Sequence, residues 1–512
     1  MGRKSVILIN PFIQYQKDRN ARFKVRRKVP RHYPPVNLLQ IGGLLKKAGF
    51  KVHILDCYVE PNPFSVIDRI CGEEDVLFVG TTVKMAPLIT IAQVISYYVK
   101  SNYPEVYTVW GGMLPTILPE EVLREAYVDY VVVGQGEESA LALAEALASG
   151  KNGDGISGVG WLSNGSNQEI ILTPQNPNIR EYNADWSLIG DKLHPEQRPY
   201  YAGTVTTRGC MFQCSFCYLT ALDNSMDHLR VWYERPIDMV MHDVDSLKNY
   251  GMNVFTFQDD CFLTSPKRVF EMFDAFADRQ IYVEQCVTAV RTITEEVIQK
   301  IHPYVQTIGY SIETVNQDLQ KILGKPVPVD IFVKANELLY KYDINSSHNI
   351  IFGIPGETDD DIRDNIDLCV QLRTINPYTR FAALYCVPYP KSRLERWVKE
   401  NHNMWVPWDL RLISTIDLSN IKVNAAYQPW LADPELREFY EDLMMVFEAV
   451  FSPNRSRDDP GVEAALAKPR MRKLFENALD LPPYPENPPY ILDHLLSHPD
   501  IPYPQAKFSL KS

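Results

Sequence analysis

Long apolar runs are missing from these 512 residues. The N-terminus reads Met-Gly-Arg-Lys-Ser and then an apolar stretch over 6–9, too short for a signal peptide or a membrane span. Met1-Gly2 meets only part of a myristoylation pattern, because Val6 stands where Ser or Thr is required. Cysteine is scarce: nine residues, odd in number and irregularly spaced, argue against a secreted disulfide framework and for a reducing, cytoplasmic setting. Positive charge is also in deficit, with 52 Lys+Arg against 64 Asp+Glu, and the net charge of −12 argues against a nucleic-acid partner. One stretch opposes that acidity, where Lys17, Arg19, Arg22, Lys24, Arg26, Arg27, Lys28 and Arg31 crowd together. It reads either as a solvated loop or as a contact for an anionic substrate, cofactor phosphate or lipid headgroup.

The first 150 residues alternate short buried strands (6–9, 51–55, 76–80, 107–110 and 130–134) with helices (38–47, 87–100, 119–124 and 137–148), Gly49 closing the first helix. That order predicts an α/β, doubly wound Rossmann-like sheet whose ligand sits at the carboxyl ends of the strands. Gly80 before Thr81 and Thr82, the pair Gly111-Gly112, and Gly134 and Gly136 before Glu137 fall at those ends, where glycine lets backbone approach a bulky flat ligand. Residues 151–195 read as a linker, with one short strand over 158–162. Over 196–395 a second βα series, with strands at 201–206, 254–257, 282–288, 307–311, 345–352 and 380–386, predicts a partial (β/α)6 barrel with its active groups at the strand carboxyl ends. The region 396–512 is helical over 434–451, then Pro-rich, and is expected to cap the barrel opening.

The densest chemistry lies in Thr-Thr-Arg-Gly-Cys-Met-Phe-Gln-Cys-Ser-Phe-Cys-Tyr, which carries Cys210, Cys214 and Cys217. At C-x3-C-x2-C spacing, three thiolates can hold three corners of a cubane iron–sulfur cluster and leave one iron open, as a catalytic centre requires. A four-cysteine electron-transfer cluster would need a fourth ligand close by, and the next cysteine, Cys261, lies 44 residues on. A zinc site would need a second paired element.

This segment resembles the signature of the radical S-adenosylmethionine (SAM) superfamily, in which the open iron chelates SAM and one electron releases a 5′-deoxyadenosyl radical. Further motifs follow in that family's order. Phe257-Gln258-Asp259-Asp260-Cys261-Phe262 resembles its F-x-D-D-x-F element, Arg291 an arginine facing the SAM carboxylate, and Glu313 a group that meets the ribose or amine. Gly353-Ile354-Pro355-Gly356-Glu357 resembles a turn that packs on adenine. The resemblance implies a 4Fe–4S cluster on the three cysteines and SAM held by Phe216, Asp259, Asp260, Arg291, Glu313, Ile354 and Gly356. It also implies an electron donor, either a reductase or a flavodoxin/ferredoxin-type protein.

The first 150 residues resemble the cobalamin-binding domain that precedes the core in one large subfamily. The matching stretches are Tyr33-Pro34-Pro35, Gly111-Gly112-Met113-Leu114-Pro115-Thr116, and the run from Asp129 to Glu137, where Gln135 departs from the usual Gly-Glu-Gly-Glu. Cobalamin contacts are thereby implied for Thr81, Thr82, Gly111, Gly112, Pro115, Thr116, Gly134 and Glu137. No D-x-H-x-x-G occurs, so a histidine beneath cobalt is not expected, and some relatives keep this domain without cobalamin. Lys391-Ser392 replaces the Gly-Thr that usually follows Pro-Tyr-Pro, where substrate contacts differ between subfamilies. Cys261, Cys286 and Cys386 read as small buried hydrophobes and His348 as a core histidine. No acid–base dyad stands out. The implied activity is methylation of an unactivated carbon in a small-molecule, lipid or peptide substrate; the alternative is cyclisation, rearrangement or coupling without methyl transfer.

Overall fold

The computed structural model describes residues 4–12, 32–60, 62–84, 88–163, 169–174, 180–193, 201–225, 232–416, 422–452 and 455–484. The basic cluster between positions 17 and 31 and the end of the Pro-rich tail lie outside them. Among the described residues no helix is long and apolar enough to cross a membrane.

The first sheet contains β1 (Ser5–Asn10), β2 (Lys51–Asp56), β3 (Val76–Thr82), β4 (Tyr107–Gly111), β5 (Tyr130–Val132), β6 (Val159–Leu162) and β7 (Ile170–Leu172), in the order β2-β1-β3-β4-β5-β6-β7. Pairing is parallel through β5 and antiparallel from β5 to β7. The strands expected from the alternation are present, and β3 is buried along its whole length, as a central strand covered on both faces must be. Strand order reverses between β1 and β3, which opens a crevice at their carboxyl ends. Gly49 takes φ +102 just after the helix Val36–Lys47, as a residue closing a helix in the left-handed region does. The stretch after position 150 adds two strands to this sheet where one was expected; Ile170–Leu172 is only three residues long and at the sheet edge, too short for alternation to reveal.

The second sheet has six parallel strands in sequence order: β8 (Ala202–Thr204), β11 (Val254–Phe257), β12 (Tyr282–Val287), β13 (Val305–Gly309), β14 (Asn345–Phe352) and β15 (Arg380–Tyr385). Between β8 and β11 a two-stranded ribbon pairs β9 (Thr207–Arg208) with β10 (Tyr233–Glu234), and the cysteine loop hangs between its strands. Helices with strong apolar faces, such as Pro266–Arg279, which buries Val269, Met272, Phe273 and Phe276, close the outer layer.

The C-terminal helix Pro434–Phe451 packs on β15 at the open edge: Phe447 lies edge-on to Phe352 at 5.3 Å, and Tyr385 Oη donates to the Tyr440 carbonyl at 3.1 Å. Val406, Leu410, Ile413 and Tyr427 join a core with Val83, Trp110 and Leu114 of the first domain, so this region ties both sheets together.

Candidate active site between the two sheets

A cavity of 650 Å³ separates the carboxyl ends of the first sheet from the barrel. On one side it is lined by Thr81, Thr82, Gly111, Gly112, Thr116, Gly134 and Glu137, all the cobalamin-type positions named above except Pro115. Pro115 is buried within the short helix Met113–Ile117 and does not reach the cavity. Gly112 takes φ +95, and a Cβ there would meet Thr82 Oγ1 and the Val83 carbonyl at 3.1 Å, so any side chain would strain this rim. Thr116 Oγ1 accepts from Gly134 N at 2.8 Å and thereby holds the second glycine loop to the first.

Across the cavity stand Thr207, Arg208, Gly209, Tyr218, Gln258 and Asp260. The loop from Gly209 to Tyr218 presents the free thiols of Cys210, Cys214 and Cys217. Its entry is pinned by Asp259, whose Oδ1 accepts from Thr206 N and Oγ1 (both 2.8 Å) and from Thr207 N and Oγ1 (2.5 and 2.6 Å). Its exit is pinned from the barrel, since Ser215 N donates to the Leu323 carbonyl at 2.8 Å and Thr220 Oγ1 to the Cys214 carbonyl at 2.7 Å. Burial pushes the Cys217 thiol up to about 12 and raises Cys214 as well. Cys210 and Cys261 hydrogen-bond to each other, which together with burial holds the Cys210 thiol above its ordinary value.

The family model of the B12 binding domain matches residues 24–144, and that of the radical SAM superfamily matches residues 204–369. The chain belongs to the radical SAM superfamily and carries its cobalamin-binding domain. An uncharacterised methyltransferase of Pyrococcus horikoshii is 26% identical over 77% of this chain and 84% of its own. An anaerobic magnesium-protoporphyrin IX monomethyl ester cyclase of Cereibacter sphaeroides is 24% identical over 65% of this chain and 55% of its own. Among solved structures, the radical SAM methyltransferase TsrM of Kitasatospora setae with cobalamin and a [4Fe-4S] cluster bound superposes at a TM-score of 0.62 and 16% identity, over 93% of this chain and 100% of that one.

The cofactors of this radical SAM enzyme are therefore a 4Fe–4S cluster, SAM and cobalamin. The donor chemistry fits, since three soft thiols share one short loop beside a glycine-rimmed cavity, but among the described residues the thiols are not gathered into one ligating group, and Cys210 turns to Cys261. One histidine, His32, is among the described residues lining the cavity; its Nε2 is already bonded to the Asp56 carboxylate at 2.8 Å and its ring stacks on Tyr58.

The SAM-type residues divide. Phe216 and Ile354 share one apolar cluster with Leu319, Leu323 and Cys386. Glu313, at φ +67 beside the loop, pairs with Lys325 Nζ at 3.0 Å. Asp260 faces the cavity, accepts from Tyr218 Oη at 3.1 Å and is raised by burial. Lys84, at the end of β3, faces it across the cavity; solvent reaches the lysine through the cavity, but surrounding protein lowers its pKa against the pull of Asp260.

Asp259 clamps the Thr206–Thr207 turn through Oδ1 alone, its Oδ2 is buried without a hydrogen-bond partner among the described residues, and burial holds the carboxyl up at about 6. Arg291 is exposed and donates to the Pro326 carbonyl at 2.9 Å, and Gly356 lies on an exposed turn at φ +88 with open space around it, so neither is drawn to the thiols. Glu137 lines the cavity, but its carboxylate is taken by Arg208.

That arginine is the main omission from the sequence reading. Arg208 also meets Gln40 Oε1 at 2.6 Å and Glu181 at 3.0 Å, while Glu181 binds Arg235, itself paired with Asp243. The network bolts the first domain to the residue two before Cys210. Its signal was present in Arg208-Gly209-Cys210, but its acidic partners come from 71 and 27 positions upstream. His348 is a core histidine as expected: Nδ1 meets the Tyr310 carbonyl at 3.0 Å, and burial lowers its pKa to about 3. Cys286 and Cys386 are buried thiols, pushed above their ordinary value by desolvation.

Proposed function

We propose that this enzyme methylates an unactivated carbon of a small-molecule, lipid or peptide substrate that enters the cavity between the sheets. The supporting observation is the shared cavity itself: the glycine-rimmed strand ends of the first domain face, across it, Gly209 and Tyr218, the two ends of the loop that carries Cys210, Cys214 and Cys217. When bound, the cluster with SAM supplies a carbon-centred radical and cobalamin supplies a methyl group. The chain's own work is placement. Thr81, Thr82, Gly111, Gly112, Thr116 and Gly134 form the seat for the corrin; Phe216, Ile354, Asp260 and Glu313 form the seat for SAM beside the thiols.

The carbon step exchanges a hydrogen atom for a methyl group and leaves no charge on the substrate, so a dedicated acid–base pair is not required. In this reading the working units are 1–150, 196–395 and 396–512, joined by 151–195, in a cytoplasmic protein served by a reductase or a flavodoxin/ferredoxin-type donor.

A cyclisation, rearrangement or coupling reaction is the second reading, favoured by the cyclase among the relatives. Turnover with SAM deuterated in its methyl group separates the two. Methyl transfer requires labelled product, with S-adenosylhomocysteine and 5′-deoxyadenosine formed together. Substrate-dependent 5′-deoxyadenosine without label in the product decides for the second.

A further inference from the structure

The turn over 353–357, at the carboxyl end of β14, carries Ile354 into the apolar cluster that also takes in Phe216 of the cysteine loop. Its two sides are held very differently. Around Gly356 there is open space. Gly353 is buried, and both of its backbone polar groups are taken: its N donates to Glu357 Oε2 at 2.7 Å, and its carbonyl accepts from Trp430 Nε1 at 2.8 Å. Tyr440 Oη donates to the same Glu357 oxygen at 3.0 Å, so the carboxylate that fixes Gly353 is itself oriented from the C-terminal helix. Close packing adds to these bonds, since a Cβ on Gly353 would meet Leu431 Cδ1 at 3.0 Å.

The segment that supplies these donors is anchored in turn. Trp430 lies in the short 3-10 turn Pro429–Leu431 and packs on the same apolar cluster as Ile354. Just before it stands Gln428, fully buried, whose Nε2 donates to the Cys386 carbonyl at 3.1 Å. Cys386 N donates to the Phe352 carbonyl at 2.9 Å, next to Gly353, which closes the ring of bonds. Residues 428–440 lie beyond both family matches, the later of which ends at 369. The hold on this turn therefore comes from a part of the chain that the family models do not describe.

We propose that Trp430 and Tyr440 are positioning residues for the adenosyl part of SAM, acting through the turn that bears Ile354. The proposal rests on reading Ile354 as part of the SAM seat. Trp430 fixes the Gly353 carbonyl, and Tyr440 orients the carboxylate that fixes Gly353 N. Ile354 is thereby preset beside Phe216 rather than ordered at the moment of binding, which spares the ligand that entropic cost.

The test uses the iron-loaded full chain with SAM as the probe. Trp430→Phe and Tyr440→Phe each keep a ring and remove one donor. Each should raise the SAM dissociation constant, measured by anaerobic calorimetry, by about threefold to tenfold, the weight of one hydrogen bond. The spectrum of the reduced cluster at saturating SAM should stay the same, with only the concentration at half-change moving; iron and cobalamin content should hold. In the cluster-free chain both variants should speed hydrogen exchange of the amides over 353–357, a readout independent of SAM. Phe451→Leu loosens the same helix where Phe451 meets Phe381 at 5.5 Å, and it should lower the denaturant midpoint without moving SAM affinity. Unchanged SAM affinity in both variants, unchanged exchange over 353–357, or an equal loss of affinity in Phe451→Leu would each overturn the proposal. An unaltered, iron-loaded chain that binds no SAM would overturn the SAM seat itself, whereas SAM binding indifferent to both variants overturns only the brace.

Discussion

At the strand ends of the first sheet the cavity rim is glycine and threonine, with Gly112 and Gly134 tied together through Thr116, whereas the barrel rim carries Arg208 and Asp260 and is held by partners far away in sequence. A wall of glycines makes room, and its tolerance is steric. A wall of ions holds position, and its tolerance is electrostatic: Arg208 is bound by Glu137, Gln40 and Glu181, and if the guanidinium goes Glu137 loses its ion-pair partner while Glu181 keeps Arg235. The two walls should therefore fail in different ways.

The largest effect is expected on the barrel side. Replacing Cys210, Cys214 and Cys217 together by alanine removes every thiol of the loop and should abolish iron uptake and SAM cleavage while leaving cobalamin binding in place, as read by iron analysis and anaerobic absorption spectra. The opposite variant is Gly112→Val. A β-branched residue at φ +95, against Thr82 and Val83, should cost on the order of 1–3 kcal/mol of local strain and reduce cobalamin retention about tenfold or more. Iron content should stay the same; if iron falls equally, the walls are not separable.

Arg208→Gln tests the bolt between them. Leaving Glu137 and Glu181 buried with one guanidinium fewer should destabilise the protein by ~3–5 kcal/mol, seen as a lower denaturant midpoint, and should lower cobalamin and iron content together.

The last effect concerns pH and touches neither wall. The Glu357 carboxyl accepts from Gly353 N at 2.7 Å and from Tyr440 Oη at 3.0 Å, and burial pushes its pKa up to about 8. The folded protein then holds a proton that the unfolded chain has released above about pH 4.3, so this carboxyl's contribution is full below that pH and is lost as pH rises towards 8. Stability should fall by roughly 2–3 kcal/mol between pH 6 and 8, and Glu357→Gln should flatten that part of the profile in thermal melts. A wild-type profile without this slope would mean that the carboxyl is already ionised in the folded state.

Much of this molecule could be read locally. Strands β11 and β14 and the helix Pro434–Phe451 fall where the apolar pattern puts them, because strand and helix periods are properties of a few neighbouring residues. The cysteine spacing and the glycine pairs were legible for the same reason, since a cluster corner and a positive φ each depend on a short stretch of chain. What Asp259 and Arg291 face was not legible, because a motif reports which residue is present: one carboxylate oxygen clamps a turn, and one guanidinium donates to a carbonyl at the surface.

The sequence alone determined the order of domains, the three thiols, the glycine-rimmed strand ends and the family. Only the tertiary structure decided that Glu137 serves Arg208 and that Cys261 lies against Cys210. It also decided that Lys84 looks across at Asp260 and that the helix Arg393–His402 backs the cysteine loop through Leu394 and Ser215. Each of these joins residues 40 or more positions apart. Long-range charge pairing is fixed by how elements pack, and it leaves no period or spacing in the chain.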